Sequence, residues 1–189
     1  GNRLGLEEAY QFARGDEIVA TNGMNVKLSR PLDFLVIADH SDNMGFFPDL
    51  FAGAPHLMSD PTAKDWYNRI QEGQGVDVAL ELIGMFSQGT VPPSLIYDPE
   101  SKPYKMAWEK TVKAAEKYND PGRFTAFIGY EWTSLVKGNN MHRVVMYRNG
   151  GDKGIQMVPY TTYPPAGSTN PRDLWKWLTE YEKKTGGDV

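Results

Sequence analysis

The chain has 189 residues, 40% of them hydrophobic and 23% charged, with a net charge of −4 and no cysteine. This is the composition of one folded domain of ordinary size rather than of a disordered or fibrous chain. The negative balance argues against binding nucleic acid through its phosphates, no apolar run approaches the roughly 20 residues that cross a bilayer, and without thiolates any metal must be held by His, Asp or Glu.

In chain order, LEEAYQFARG places Leu6, Ala9, Tyr10 and Ala13 at helical spacing, with Gly15 as a stop. The stretch LDFLVIADHSDNMG, residues 32–45, follows. Its first eight residues are nearly continuously aliphatic, as in a parallel strand covered on both faces. The run then ends in Asp39, His40, Ser41, Asp42 and Asn43, and such a polar burst belongs where a strand leaves the core. Residues 46–61 mix Phe, Gly, Pro and His with little periodicity and read as a long loop able to cover a site.

Ser59, Asp60 and Pro61 open a helix in the order of cap followed by proline, and VDVALELIGMFSQG forms another that stops at Gly89. KPYKMAWEKTVKAAEKYN, capped by Ser101, sets Met106, Trp108, Val112 and Ala115 near one stripe. After a turn at 120–122, FTAFIGYEWTS reads as a second strand; KGNN is a loop, and MHRVVMYRNGG a third strand closed by its glycine pair. Asn170 and Pro171 begin a final amphipathic helix with Leu174, Trp175, Leu178 and Tyr181 inward. Strands alternating with helices predict a single α/β domain, layered or barrel-shaped.

In such folds the working groups gather at the carboxyl ends of parallel strands. Asp39 and His40 stand at one such end, Glu131 at a second, and His142 opens the third strand. Imidazole and carboxylate together suit zinc, manganese or iron, and Asp39, Asp42, Asn139 and Asn140 are near enough in sequence to orient the ligands. Each residue also has an ordinary reading. An Asp-His dipeptide is common, a glutamate beside Trp132 normally points into water, and His142 shares a face with Val144 and Met146, as a hydrogen-bonded core histidine would. His56 reads as an exposed or lid residue, Arg143 as part of a solvated strand face, and Trp108, Trp175 and Trp177 as core. Neither a G-x-S-x-G nor a G-x-x-x-x-G-K setting is present.

VIADHSDNMG resembles the T-D-H type motif of the PHP superfamily (polymerase and histidinol phosphatase domains), FIGYEWTS its G-x-E motif, and NNMHRVVMYR the histidine motif that follows. The run from GNRLGLEEAYQFARG through LDFLVIADH, GYEWTS and GNNMHRVV resembles most closely a PHP-like family catalogued as a domain of unknown function, number 3604. The resemblance implies a partial, distorted β/α barrel of TIM-like, PHP type with mostly parallel strands and surrounding helices. It also implies hydrolysis of phosphoesters or related bonds by metal-activated water, on a small phosphorylated substrate. His40, Glu131 and His142 match metal ligands for zinc, manganese or iron, and Asp39 matches the acidic neighbour that supports its histidine.

Members of that family carry an H-x-H motif before this segment and further His and Asp motifs after it. The sequence therefore reads as a fragment that holds metal weakly and is impaired alone, and whose unclosed barrel edges favour homo-oligomers. No nucleic-acid or membrane partner is expected, the chain reads as soluble, and its compartment is left open. The rival reading is a non-catalytic α/β module that uses the strand-end cleft to bind a small ligand or partner.

Overall fold

The computed structural model describes residues 3–189. Three of its longer helices begin where the sequence offers a side-chain cap. In α1 (Leu6–Ala13), Tyr10 and Ala13 are buried. In α4 (Pro61–Gln71), the Asp60 carboxylate accepts from the backbone N–H of Thr62 and Ala63 at 2.8 and 3.2 Å. In α6 (Lys102–Tyr118) the cap is the Ser101 hydroxyl, and in α8 (Pro171–Thr185) the Asn170 side chain. These side chains satisfy N–H groups that the first helical turn leaves unpaired. Helix α5 (Gly75–Gln88) ends at Gly89, as its sequence predicts.

Three expectations are corrected here. Residues 46–61 are not a loop: they hold two short helices, α2 (Phe46–Phe51) and α3 (Pro55–Met58), pinned by buried Phe46, Leu50 and Leu57. Elements this short show no readable periodicity. On α6 the inner stripe is Tyr104, Trp108, Val112 and Ala115, while Met106 faces outward. On α8 the outward residue is Trp175; Trp177 takes the inner position, stacked on Tyr160 and Tyr181.

The strands are shorter and more mixed than expected. Strands β1 (Ile18–Val19) and β2 (Asn25–Val26) form a small antiparallel pair. Strand β3 (Phe34–Val36) runs parallel to β4 (Thr125–Phe127), with Phe34 opposite Thr125. Strand β5 (Gly129–Val136) pairs antiparallel with β6 (Asn139–Met146). The single strand expected over 124–134 is thus divided at Ile128: its first part pairs with β3 and its second with β6. Nor is the aliphatic run of β3 covered on both faces, since Phe34 is 60% exposed.

One strand pair is parallel and two are antiparallel, so the mostly parallel expectation is corrected, and the described strands close into no barrel. The reason lies in the link from β5 to β6. It is only Lys137 and Gly138, with φ of 50° and 80°. Two consecutive residues at positive φ make a tight hairpin of the kind that matches strand twist, and a two-residue link can join only antiparallel neighbours.

Two of the ribbons, β3–β4 and β5–β6, converge at Gly129. A Cβ there would lie 2.5 Å from Val36 Cγ2 and 2.7 Å from the Val145 carbonyl, so only glycine lets β3, β5 and β6 approach this closely. Beneath them lies an aromatic core. Tyr130 and Tyr147 pack against Trp108, Tyr147 meets Tyr181 edge-on at 4.9 Å, and the Trp108 indole N–H donates to the Gly154 carbonyl of α7 (Gly151–Gly154) at 3.0 Å. Each such ring removes roughly 150–250 Å² from water, making this cluster the main anchor of the strands that carry the site.

Candidate metal centre

The alternation of β5 decides what faces where. Tyr130, Trp132 and Ser134 are buried, and Glu131, Thr133 and Leu135 take the opposite face, as a period of two requires. Across the hairpin Thr133 stands opposite His142, and Glu131 opposite Val144. On the other side of β5 the chain that leaves β3 returns to the ladder. The Glu131 N–H donates to the Asp39 carbonyl at 2.9 Å, the Ser41 N–H donates to the Glu131 carbonyl at 2.8 Å, and His40 and Glu131 form a parallel bridge. Backbone pairing therefore brings together residues separated by about a hundred positions.

The result is a cluster of three ligand-type side chains. His40 Nδ1 lies 3.2 Å from Glu131 Oε2, and His142 Nδ1 lies 3.3 Å from Glu131 Oε1. The three ligand atoms fall within 4.8 Å of one another. Two atoms each about 2.1 Å from a tetrahedral ion stand about 3.4 Å apart, so the observed separations fit a first-row divalent ion. His40 is 60% and His142 46% exposed at the side chain against 21% for Glu131. The cluster thus opens to solvent on the imidazole side and is rooted on the carboxylate side.

Thr133 ties the three together. Its hydroxyl oxygen is 2.9 Å from His40 Nδ1, 3.1 Å from His142 Nδ1 and 3.2 Å from Glu131 Oε2. A hydroxyl carries one proton and two lone pairs. In the metal-free arrangement it can donate to Glu131 and accept an N–H from each imidazole, which satisfies all three contacts; an ion held at the two Nδ1 atoms would displace those two protons. Sequence reasoning missed this residue. The signal was its position two residues after Glu131 on the same strand face.

The polar burst after β3 acts as a junction. The Ser41 carbonyl accepts from the Tyr104 hydroxyl of α6 at 2.8 Å. Asp42 accepts from both the backbone N–H and the hydroxyl of Thr162, at 2.7 and 2.8 Å. Desolvation pushes its carboxyl above the usual carboxylate range, opposed by those two hydrogen bonds and by the nearby His40. Asn43, buried and at φ 53°, donates to the Leu95 carbonyl at 3.0 Å and accepts from the Tyr97 N–H at 2.9 Å. Gly45, at φ 88°, turns the chain into α2 so close to α6 that a Cβ would strike that of Ala107 at 2.7 Å. The side chains of Asp42 and Asn43 and the backbone of Ser41 are thus occupied in holding neighbouring segments.

Asp39 makes its ladder contact through its carbonyl; among the described residues no hydrogen bond joins its carboxylate to an imidazole. The carboxylate keeps solvent contact, but the protein packed around it desolvates it and raises its pKa, with His40 pulling the other way. Asp42 is committed to Thr162, and the side chains of Asn139 and Asn140 make no described hydrogen bond to the trio. The contact that the sequence assigned to an acidic or amide neighbour is made by Thr133 instead. The core-histidine reading of His142 does not hold, because Val144 and Met146 on its face are exposed with it. His56, exposed as expected, lies outside the trio: its Nε2 is 2.7 Å from the Tyr97 hydroxyl, which donates to Asp49 at 2.7 Å. Arg143 is exposed and donates to the carbonyl of His142.

Beside the trio opens a cleft of about 1660 Å³, lined in part by Asp39, His40 and Thr133. Among the described residues no helix is long and apolar enough to cross a membrane.

A family model described as "Protein of unknown function (DUF3604)" matches residues 1–189, so the chain belongs to that family. No curated protein and no solved structure matches it.

Proposed function

We propose that this member of the family is the metal-binding part of a hydrolase of the PHP type, acting on a phosphoester, with a divalent ion held by His40, Glu131 and His142. The observation that carries the reading is the trio's geometry: two imidazoles and one carboxylate from three separate chain segments, at separations that suit a zinc, manganese or iron ion. The motif resemblance supports the same assignment and adds the distorted barrel as the wider architecture.

A divalent ion at this position supplies a Lewis acid that lowers the pKa of water and offsets charge on a phosphoester oxygen. The chain's own residues supply the rest. Glu131, the least exposed of the three, fixes the position of the charge. Thr133, within hydrogen-bond reach of all three side chains, holds them toward one point. Asp39 lines the cleft next to His40 and adds negative charge or a proton at its carboxyl.

Assaying the chain on p-nitrophenyl phosphate with added zinc or manganese tests this. Slow turnover, below that of a complete hydrolase, that ends on chelation and in Glu131→Gln is expected; turnover indifferent to both contradicts the reading.

A further inference from the structure

The cleft beside the trio is walled by side chains that water normally drives inward. Phe47 and Phe51 of α2, Ile83 of α5 and Met106 of α6 all line it, and they are 39%, 49%, 54% and 46% exposed. The two phenylalanines lie one helical turn apart with ring centroids 6.2 Å from each other. Exposed apolar side chains scattered singly over a surface carry no message, but several gathered in one concavity mark a binding groove.

The charges of α6 are sorted with respect to the same cleft. Lys102 and Lys110 flank Met106 at four residues on either side, on one stripe about 12 Å long, and both line the cleft. Neither has an ion-pair partner among the described residues. The other lysines of the helix with described pairs are neutralised: Lys105 by Glu100, Lys113 by Glu109 and Lys117 by Glu7. Of the three carboxylates lining the cleft, Asp42 is taken by Thr162 and Asp49 by Tyr97, which leaves Asp39. The groove therefore offers apolar surface between unpaired ammonium groups, in a chain whose net charge is −4.

We infer that this cleft binds an amphiphilic anion, a phosphoester whose organic part is an alkyl chain or aryl ring, with the apolar part on Phe47, Phe51, Ile83 and Met106 and the charged head met by Lys102 or Lys110. The inference deepens the hydrolase reading by naming its substrate class, and it rests on that reading only for calling the ligand a substrate. Charge complementarity selects an anion over a neutral lipid. The apolar wall selects a substituted phosphate over inorganic phosphate, since each buried methylene raises affinity about fourfold when fully removed from water.

The test is calorimetric titration of the chelator-treated chain with butyl phosphate, octyl phosphate and octyl glucoside, each below its micellar concentration. Octyl phosphate is expected to bind at least about tenfold more tightly than butyl phosphate. Phe51→Ser or Met106→Ser should erase that gain, both changes falling at exposed positions, with circular dichroism checking that each variant is folded. Lys110→Ala combined with Lys102→Ala should weaken octyl phosphate toward the level of octyl glucoside. Equal affinities for the two phosphates, or equal affinities for octyl phosphate and octyl glucoside, overturn the inference. Because these titrations use metal-free protein, failure of the metal centre leaves their expected outcome intact. Stoichiometric metal binding without any chain-length dependence overturns the substrate class alone.

Discussion

Thr133 stands directly across the β5–β6 hairpin from His142, and its hydroxyl lies 3.1 Å from the imidazole Nδ1. Because the same oxygen reaches His40 and Glu131, removing it should loosen three ligands at once. Groups that orient metal ligands typically contribute 10–100-fold in affinity. Thr133→Val, which keeps the shape and loses the hydroxyl, should weaken zinc binding by about tenfold or more in competition with a chelating dye, and Thr133→Ser should restore it. Equal affinity for Val and Ser would show the hydroxyl to be a bystander.

Asn43 secures the segment that carries Tyr97, and through it Asp49 and His56. Asn43→Ala leaves the Leu95 carbonyl and the Tyr97 N–H buried without partners and places alanine at positive φ. A loss of about 2–4 kcal/mol in urea unfolding is expected from these combined penalties. A loss under about 1 kcal/mol would mean that the segment finds other partners.

Gly129→Ala should be as costly as a core overpacking change, about 1–3 kcal/mol or more, because the added methyl meets Val36 and a backbone carbonyl rather than a flexible side-chain end. It should also lower metal retention, since the pairing that aligns His40 with Glu131 begins two residues away. A variant as stable as the parent would show that β3 and β5 can separate without consequence.

Glu81 joins α4 to α5 by accepting from the Trp66 indole N–H at 3.0 Å and from Arg69 at 2.7 Å, and these bonds hold its carboxyl below the ordinary 4.5. A depressed folded-state pKa contributes stability that is present above the unfolded value and is lost as pH falls through the folded one. Glu81→Gln should therefore cost about 0.5–1 kcal/mol at neutral pH, a figure discounted for partial exposure, and progressively less as pH falls below 4.5. Thermal unfolding of parent and variant across that range checks it; a difference independent of pH would assign the effect to shape rather than charge.

The features legible in the sequence were those encoded locally. Asp60, Ser101 and Asn170 announced their helices because a cap and a following proline act within one turn. The break from aliphatic to polar at Asp39 marked the strand exit, and His40, Glu131 and His142 stood out as ligand types at strand positions. The structure brings these three together. What was not legible depends on pairing between distant segments. Thr133 gains its place only through the hairpin register, and that register rests on positive φ at Lys137, a residue type that gives no such signal. The helices at Phe46–Phe51 and Pro55–Met58 are fixed by tertiary burial, which overrides their weak periodicity. The outward turn of Met106 and Trp175 reflects which neighbours each helix meets, and a stripe drawn on one helix alone does not contain that information.

The central claim is that His40, Glu131 and His142 form a metal site. Elemental analysis of the purified chain and of His40→Ala, after dialysis against trace zinc and manganese and with circular dichroism confirming that the variant is folded, tests it most directly. Near-stoichiometric metal in the parent that is lost in the variant is the predicted result; metal absent from both, or retained equally by both, would contradict it.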